Sequence, residues 1–283
     1  MHSFQCRWAV LAILASALPV GLGAQVRVVE KPSATFPAPA STVKHLPDPP
    51  AAEIPQIIAK FTAKERLFRQ LLKHSYTYTE SIRLDTVDDD GNSTGDYEQV
   101  NDIQFSNEGE RRIVCTFCPQ PTLRDIVITA EDIDDFFNTD MYTLSIDELP
   151  EYDVRYVDHE PLDQLTAYKF EIRPKQLVKG HRYFQGTVWV DDRDLAIVKS
   201  FGKAVPDEFD KHGRPTNTFL PFETYRQPID GKYWFPVYTH TDAMLGDAHV
   251  KMVIRFKDYK QFRATGRIVS IQAPPTTPPP KKP

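Results

Sequence analysis

Apolar residues recur at helical spacing in one stretch of this chain and at every second position through most of the rest. The helical stretch is PQIIAKFTAKERLFRQLLKHSYTY. There Ile57, Ile58, Phe61, Leu67, Phe68, Leu71 and Leu72 fall near a 3.6 period with Lys and Arg between them. The pattern predicts an amphipathic helix that needs an apolar surface to lie on. The period then changes to two. Tyr76, Tyr78, Ile82 and Leu84 take one face, and Thr77, Thr79, Ser81 and Arg83 the other, which predicts a half-buried strand. Glu80 interrupts the apolar row, and a rim position in reach of water is the expectation for it.

Strands are predicted at Gln99 to Ser106, Arg111 to Val114 and Leu123 to Ile128. Thr129-Ala-Glu-Asp reads as a capping-box variant opening a short helix, TAEDIDDFFN. Ser145 to Leu149 predicts one more helical turn, stopped by Pro150. From Val154 onward strands dominate. Tyr168, Phe170 and Ile172 alternate with Lys169, Glu171 and Arg173, and Ala248, Val250, Met252, Ile254 and Phe256 alternate with mostly charged neighbours. IDGKYW, Ile229 to Trp234, carries the Asp-Gly hairpin signal. The pattern implies an antiparallel meander whose apolar face is covered by helices or by a ligand.

The ends differ from this middle. Residues 1–24 read as a secretory signal: Arg7 supplies the positive start, Trp8 to Val20 an apolar run broken by Pro19, and Gly23-Ala24 small residues for cleavage. The run is too short for a helix across a ~30 Å bilayer, so no transmembrane segment is expected after cleavage. Residues 25–54, rich in Pro and Ala, read as a disordered leader, and 272–283 as a Pro-rich disordered tail. The folded domain is expected at 55–271.

The sequence has 283 residues, 41% of them hydrophobic, with a formal net charge of −5. That composition suits a soluble domain with a core and gives no sign of a nucleic-acid partner. Cys115 and Cys118 are the pair left after signal removal. In an exported protein they form a possible disulfide, with free thiols the alternative. A disulfide requires Cα atoms within ~7 Å, whereas an extended strand sets residues three apart at ~10 Å. A bond therefore predicts a tight turn at Thr116-Phe117 and a strand ending near Val114. A C-x-x-C followed by Pro119 and Pro121 does not open a helix as a thioredoxin-like site would.

Other candidate chemistry is weak. Asp88, Asp90 and Gly91 suggest a calcium loop, but Thr86 and Tyr97 then occupy the first and last ligand positions, so an acidic hairpin loop is the reading. His240 and His249 share a neighbourhood with Asp242 and Asp247, as strand-face residues rather than a metal site. Hydrolase, zincin, Walker and dinucleotide fingerprints are absent from the sequence. No catalytic residue, metal or cofactor is therefore assigned. In FQGTVWVDDRDLAIVKSFGK, Phe184 to Lys203, the acidic cluster falls between two strands and reads as a hairpin tip. Phe184, Val188 and Val190 share a face there, with Gly186 allowing close packing.

Two stretches, FQGTVWVDDRDLAIVK at Phe184 to Lys199 and FETYRQPIDGKYWFP at Phe222 to Pro236, resemble the outer-membrane lipoprotein-sorting (LolA/LolB-like) superfamily, in particular exported bacterial members. The resemblance covers roughly Phe61 to Phe262 without matching the carriers' functional arginine. It implies a mainly β, α+β fold: a curved, unclosed antiparallel half-barrel of about eleven strands, with the N-terminal helix and short helices as a lid. It also implies a periplasmic, monomeric carrier or sensor, with association with the outer membrane as the alternative setting. The partners implied are a hydrophobic ligand, either a lipid or a lipoprotein acyl chain, and an envelope protein. A sixteen-carbon chain at ~0.8 kcal/mol per buried methylene gains ~10 kcal/mol before ordering costs, enough for binding without chemistry. The ligand-facing set expected from the apolar strand faces is Tyr78, Phe170, Val188, Val190, Phe222, Trp234, Tyr238 and Met252, with packed core as the alternative role. The alternative function is a structural scaffold of the cell envelope.

Overall fold

The computed structural model describes residues 46–106, 110–124, 126, 144–178, 181–209, 211, 215–217 and 220–262. The signal, the helix expected at 129–138 and the tail lie outside the described residues. Helix α1 spans Ile54–His74. Pro55 sits in its first turn, where a missing N–H costs nothing and the fixed φ suits a helix. Lys73 and His74 meet the negative end of the helix dipole, and the Ser75 N–H closes the last turn on the Leu71 carbonyl at 2.8 Å.

The strands are β1 Tyr76–Val87, β2 Ser93–Phe105, β3 Arg111–Phe117, β4 Tyr152–Leu162, β5 Leu165–Pro174, β6 Tyr183–Asp191 and β7 Ile197–Val205. They continue as β8 Glu208–Phe209, β9 Pro215–Asn217, β10 Phe222–Ile229, β11 Tyr233–Leu245 and β12 Ala248–Gln261. Ten form one antiparallel sheet in the order β3-β2-β1-β12-β11-β10-β7-β6-β5-β4, while β8 and β9 pair as a separate ribbon. The chain lays down β1 to β3, crosses to the far edge at β4, and meanders back until β12 closes on β1. β3 and β4 remain as edges, so the barrel is unclosed. Among the described residues the main sheet has ten strands, against about eleven expected.

α1 lies across one face of this sheet, here the inner face. Ile57 and Phe61 join a cluster with Phe170, Ile172, Val188, Val190 and Phe222. Phe68 and Leu72 join a second with Tyr76, Tyr78, Ile82, Ile103, Phe235 and Met252. One helix thus spans both halves of the sheet. The buried stripe differs from the apolar stripe in the sequence: Leu67 is 44% exposed, whereas Thr62 and Glu65 are buried. The outer face carries a smaller cluster, Ala167, Trp189 and Val198 with Trp234 against it.

Several local expectations need correction. β3 runs through Cys115 to Phe117 instead of ending at Val114. Cys115 and Cys118 are bonded with Cα atoms 6.3 Å apart. A bulge at Thr116, where Val100 pairs with Phe117 and Asn101 with Cys115, shortens the path that a flat strand would hold open. Residues 122–124 and Ile126 are not strand, although Leu123 and Ile126 pack on the second cluster. Residues 146–151 form a turn and a 3-10 turn at Leu149–Glu151 that includes Pro150 rather than stopping before it.

The leader joins the fold earlier than residue 55. The Leu46 N–H donates to the His159 carbonyl at 2.9 Å and the Tyr156 hydroxyl to Asp48 at 2.6 Å. A proline-rich segment builds no ladder, but this one meets the edge strand β4 at these two points.

The acidic run is a hairpin tip. The Asp191 carboxylate accepts the N–H groups of Arg193 at 3.2 Å and Asp194 at 2.6 Å. Asp192 accepts from Thr166, 2.5 Å, and lies 3.1 Å from His159 Nε2, while Asp194 accepts from the Trp234 indole at 2.9 Å. Behind it, Gly186 and Gly202 pair across β6 and β7 under the Phe184 ring. A Cβ on Gly202 would stand 2.4 Å from the Gln185 carbonyl and 2.7 Å from that ring. The Asp-Gly turn also forms as the sequence signals, with Asp230 and Gly231 both at positive φ.

Candidate functional site

The inner face is apolar in rows, but several buried polar groups sit among them. Glu80, on β1 between Tyr78 and Ile82, pairs with Phe256 of β12 on one side and Asn101 of β2 on the other. It is 0% exposed, so the rim position expected for it is wrong. Among the described residues neither carboxyl oxygen has a hydrogen-bond partner. Burial pushes its pKa up to about 8, against the smaller opposing pull of the Arg111 guanidinium. The Asn101 Oδ1 accepts from Gln99 at 2.9 Å, and Gln99 in turn accepts from the Tyr97 hydroxyl, but the Asn101 Nδ2 has no partner among the described residues.

A second polar element ties α1 to the sheet. Arg226 of β10 meets Glu65 in a bidentate pair, Nη1 to Oε1 2.6 Å and Nη2 to Oε2 3.0 Å. Both side chains are nearly fully buried, and the guanidinium lies 4.6 Å over the Phe68 ring. The pair falls along α1 between Phe61 of the first cluster and Phe68 of the second. Among the described residues the Arg226 Nε has no partner, nor does the buried Ser200 hydroxyl. Beside Ser200, Thr224 and Thr239 bond each other at 2.9 Å.

The predicted ligand-facing residues divide between the two faces. Phe170, Val188, Val190 and Phe222 lie in the first inner cluster, and Tyr78 and Met252 in the second. Trp234 and Tyr238 are not with them. Trp234 packs on the outer cluster and lines an outer cavity of about 830 Å³ with Leu162, Leu165, Val198 and Tyr225. Tyr238 sits beside Tyr225 and His240, with Arg255 5.6 Å over its ring. On β11 the buried inner positions near Tyr238 are instead Thr239 and Thr241, beyond Phe235 of the second cluster.

The remaining candidates have ordinary partners. Asp88 accepts the N–H groups of Asp90 and Asn92 at 3.1 and 2.8 Å, which makes that loop a turn. His249 bonds Asp242 at 2.5 Å, and His240 lies 3.7 Å from Glu223. Among the described residues no group of three or more His, Cys, Asp or Glu is placed to hold a metal. Among them, too, no helix is long and apolar enough to cross a membrane. Glu65 and Asn101 went unnoticed in the sequence. Glu65 carries a weak signal, since a carboxylate within the apolar stripe of a helix implies a buried cation opposite.

No family model matches the chain, and no curated protein matches it. Solved structures do. A DUF1329 family protein from Desulfovibrio piger is 13% identical at a TM-score of 0.35, covering 76% of this chain and 95% of that one. A LolA superfamily protein from Nitrosomonas europaea is 14% identical at 0.34, covering 71% and 94%. An outer membrane lipoprotein-sorting protein domain from Vibrio parahaemolyticus is 11% identical at 0.32, covering 76% and 95%. Identities and scores this low say nothing of what this chain binds.

Proposed function

We propose that this protein is an exported, non-catalytic carrier or sensor that holds a lipid-like ligand or a lipoprotein acyl chain against the inner face of its half-barrel. The observation that carries this reading is unspent hydrogen-bonding capacity inside an apolar face. Glu80, Asn101, Ser200 and Arg226 bury polar atoms that have no partner among the described residues. A finished core satisfies nearly all such atoms, because each one left unpaired costs about 1–3 kcal/mol. A guest with a long apolar body and a small polar end uses both the rows and the orphaned atoms. The signal-like N-terminus supports a periplasmic setting, with an envelope protein as donor or receiver of the cargo.

The test is extraction and mass spectrometry of lipids that co-purify with the protein exported from a bacterial host. A stoichiometric acyl lipid is the expected result. Protein free of lipid that also takes up none from added vesicles overturns the reading. A scaffold role without ligand is the second reading. It is favoured by α1, which already lays Ile57, Phe61, Phe68 and Leu72 on the inner face as ordinary core does.

A further inference from the structure

The orphaned atoms are not scattered evenly. Three of them, both Glu80 oxygens and the Asn101 Nδ2, belong to residues directly paired across β1 and β2. The groups facing Glu80 do not neutralise an ionised carboxylate there. Tyr78, on its own strand, bonds Arg111 of β3 at 3.0 Å. Arg111 itself is an exposed residue and acts on Glu80 only at a distance. Tyr259, on β12, gives its hydroxyl to the Pro236 carbonyl at 2.8 Å, and its own ionisation is pushed well up by burial. Tyr97 of β2 is engaged with Gln99, and Arg226 of β10 with Glu65. An unpaired charge in such surroundings is far costlier than a neutral acid, so the carboxyl keeps its proton. The pair then presents an O–H and an N–H as free donors, with one free carboxyl oxygen as acceptor. Exposure rises toward the neighbouring edge: Ile103 of β2 is buried, while Ile113, its partner on β3, is 45% exposed. Among the described residues, the side of the inner face next to this pair is thus the more exposed one.

We propose that Glu80 and Asn101 are the polar end of the ligand site, where their O–H and N–H donate to the carbonyl of an acyl group, an ester or an undissociated acid, whose chain runs along the second inner cluster. This rests on the lipid-carrier reading above. A phosphate or ionised carboxylate would be held by Arg111 at the rim and gains nothing from a neutral acid. An ammonium group would need Glu80 ionised, and the test includes it as a competing outcome.

The experiment is displacement of the neutral fluorescent probe N-phenyl-1-naphthylamine from the full chain by four ligands of one chain length: methyl laurate, lauric acid, dodecyl methyl ether and dodecylamine. The ester is expected to displace the probe at about tenfold lower concentration than the ether, the scale of one or two buried hydrogen bonds. That ratio is expected to collapse in Glu80→Met, to survive in Glu80→Gln, which keeps a donor and an acceptor, and to shrink in Asn101→Leu. Glu80→Met removes an unpaired buried group and is expected to fold; its thermal midpoint checks this. Displacement is compared at about pH 5, where much of the lauric acid is undissociated; a preference for acid or ester there identifies a free fatty acid or an esterified lipid as the source, and either supports the proposal. Three results overturn it: ether equal to ester on the unaltered protein, dodecylamine best of the four, or discrimination that persists in Glu80→Met. If all four displace the probe equally, the headgroup proposal falls and the carrier reading stands. If none does, both fall.

Discussion

Glu80 makes stability depend on pH in an unusual direction. Most carboxylates in a folded protein are stabilised as ions and lose that stabilisation in acid. Here burial raises the folded pKa from the usual 4.5 to about 8. Below 4.5 the side chain is protonated in both states and contributes no pH dependence. Between 4.5 and 8 the unfolded chain releases the proton while the native state keeps it, so the native state binds more protons and stability falls as pH rises. Above 8 both states are ionised and the curve levels. At about 1.4 kcal/mol per pH unit, the whole window is worth roughly 5 kcal/mol, of which roughly 3–4 fall between pH 5 and 8. The perturbation is Glu80→Gln, which has nearly the same shape and does not titrate. Urea unfolding of both proteins from pH 5 to 8.5 gives two stability curves, and their difference cancels every other titrating group. The difference should favour the variant increasingly with pH and flatten near 8. A difference constant within about 0.5 kcal/mol across that range would refute the reasoning, since it would mean Glu80 ionises alike in both states. Arg111→Ala removes the one opposing pull and should carry the window to higher pH.

Other expectations follow from single contacts. Arg226→Met leaves the Glu65 carboxylate buried alone and should cost about 3–5 kcal/mol, while the double variant Glu65→Leu/Arg226→Met recovers most of it; urea midpoints in a double-mutant cycle decide this. Gly202→Ala forces a methyl against the Gln185 carbonyl and the Phe184 ring, and should cost about 1–3 kcal/mol, read as a lowered thermal midpoint. Gly91→Ala meets open space and only the strain of a positive φ, so roughly 1 kcal/mol is expected. Asp191→Ala loses two turn hydrogen bonds and should lower stability by about 1–2 kcal/mol while probe displacement by methyl laurate is unchanged. A loss of displacement in that variant would return the acidic run to the list of functional candidates.

Period-two patterning shows that a strand has two faces, and neighbours in the fold decide which one is buried. On β5, β6 and β12 one face was plainly the more apolar, and Phe170, Val188 and Met252 lie on the inner face. On β11 the same logic selected Tyr238 over Thr239. A lone threonine reads as solvent-facing, but Thr224 across the ladder satisfies its hydroxyl, and the pair becomes core. Glu65 and Arg226 lie 161 positions apart, so neither predicts the other until α1 lies over β10. Each is compatible with burial only because of its partner. Glu80 is the informative exception. It stands in an apolar row in the sequence and in the structure alike, and the described residues bring it no partner. Local pattern and tertiary contact agree on the position and leave the charge unexplained. Such a conflict, in a domain otherwise consistent from helix period to turn residues, is what the proposed ligand site would account for. A core without a guest would do better with leucine at residue 80, so the retained carboxyl is the strongest argument that the inner face serves something beyond its own packing.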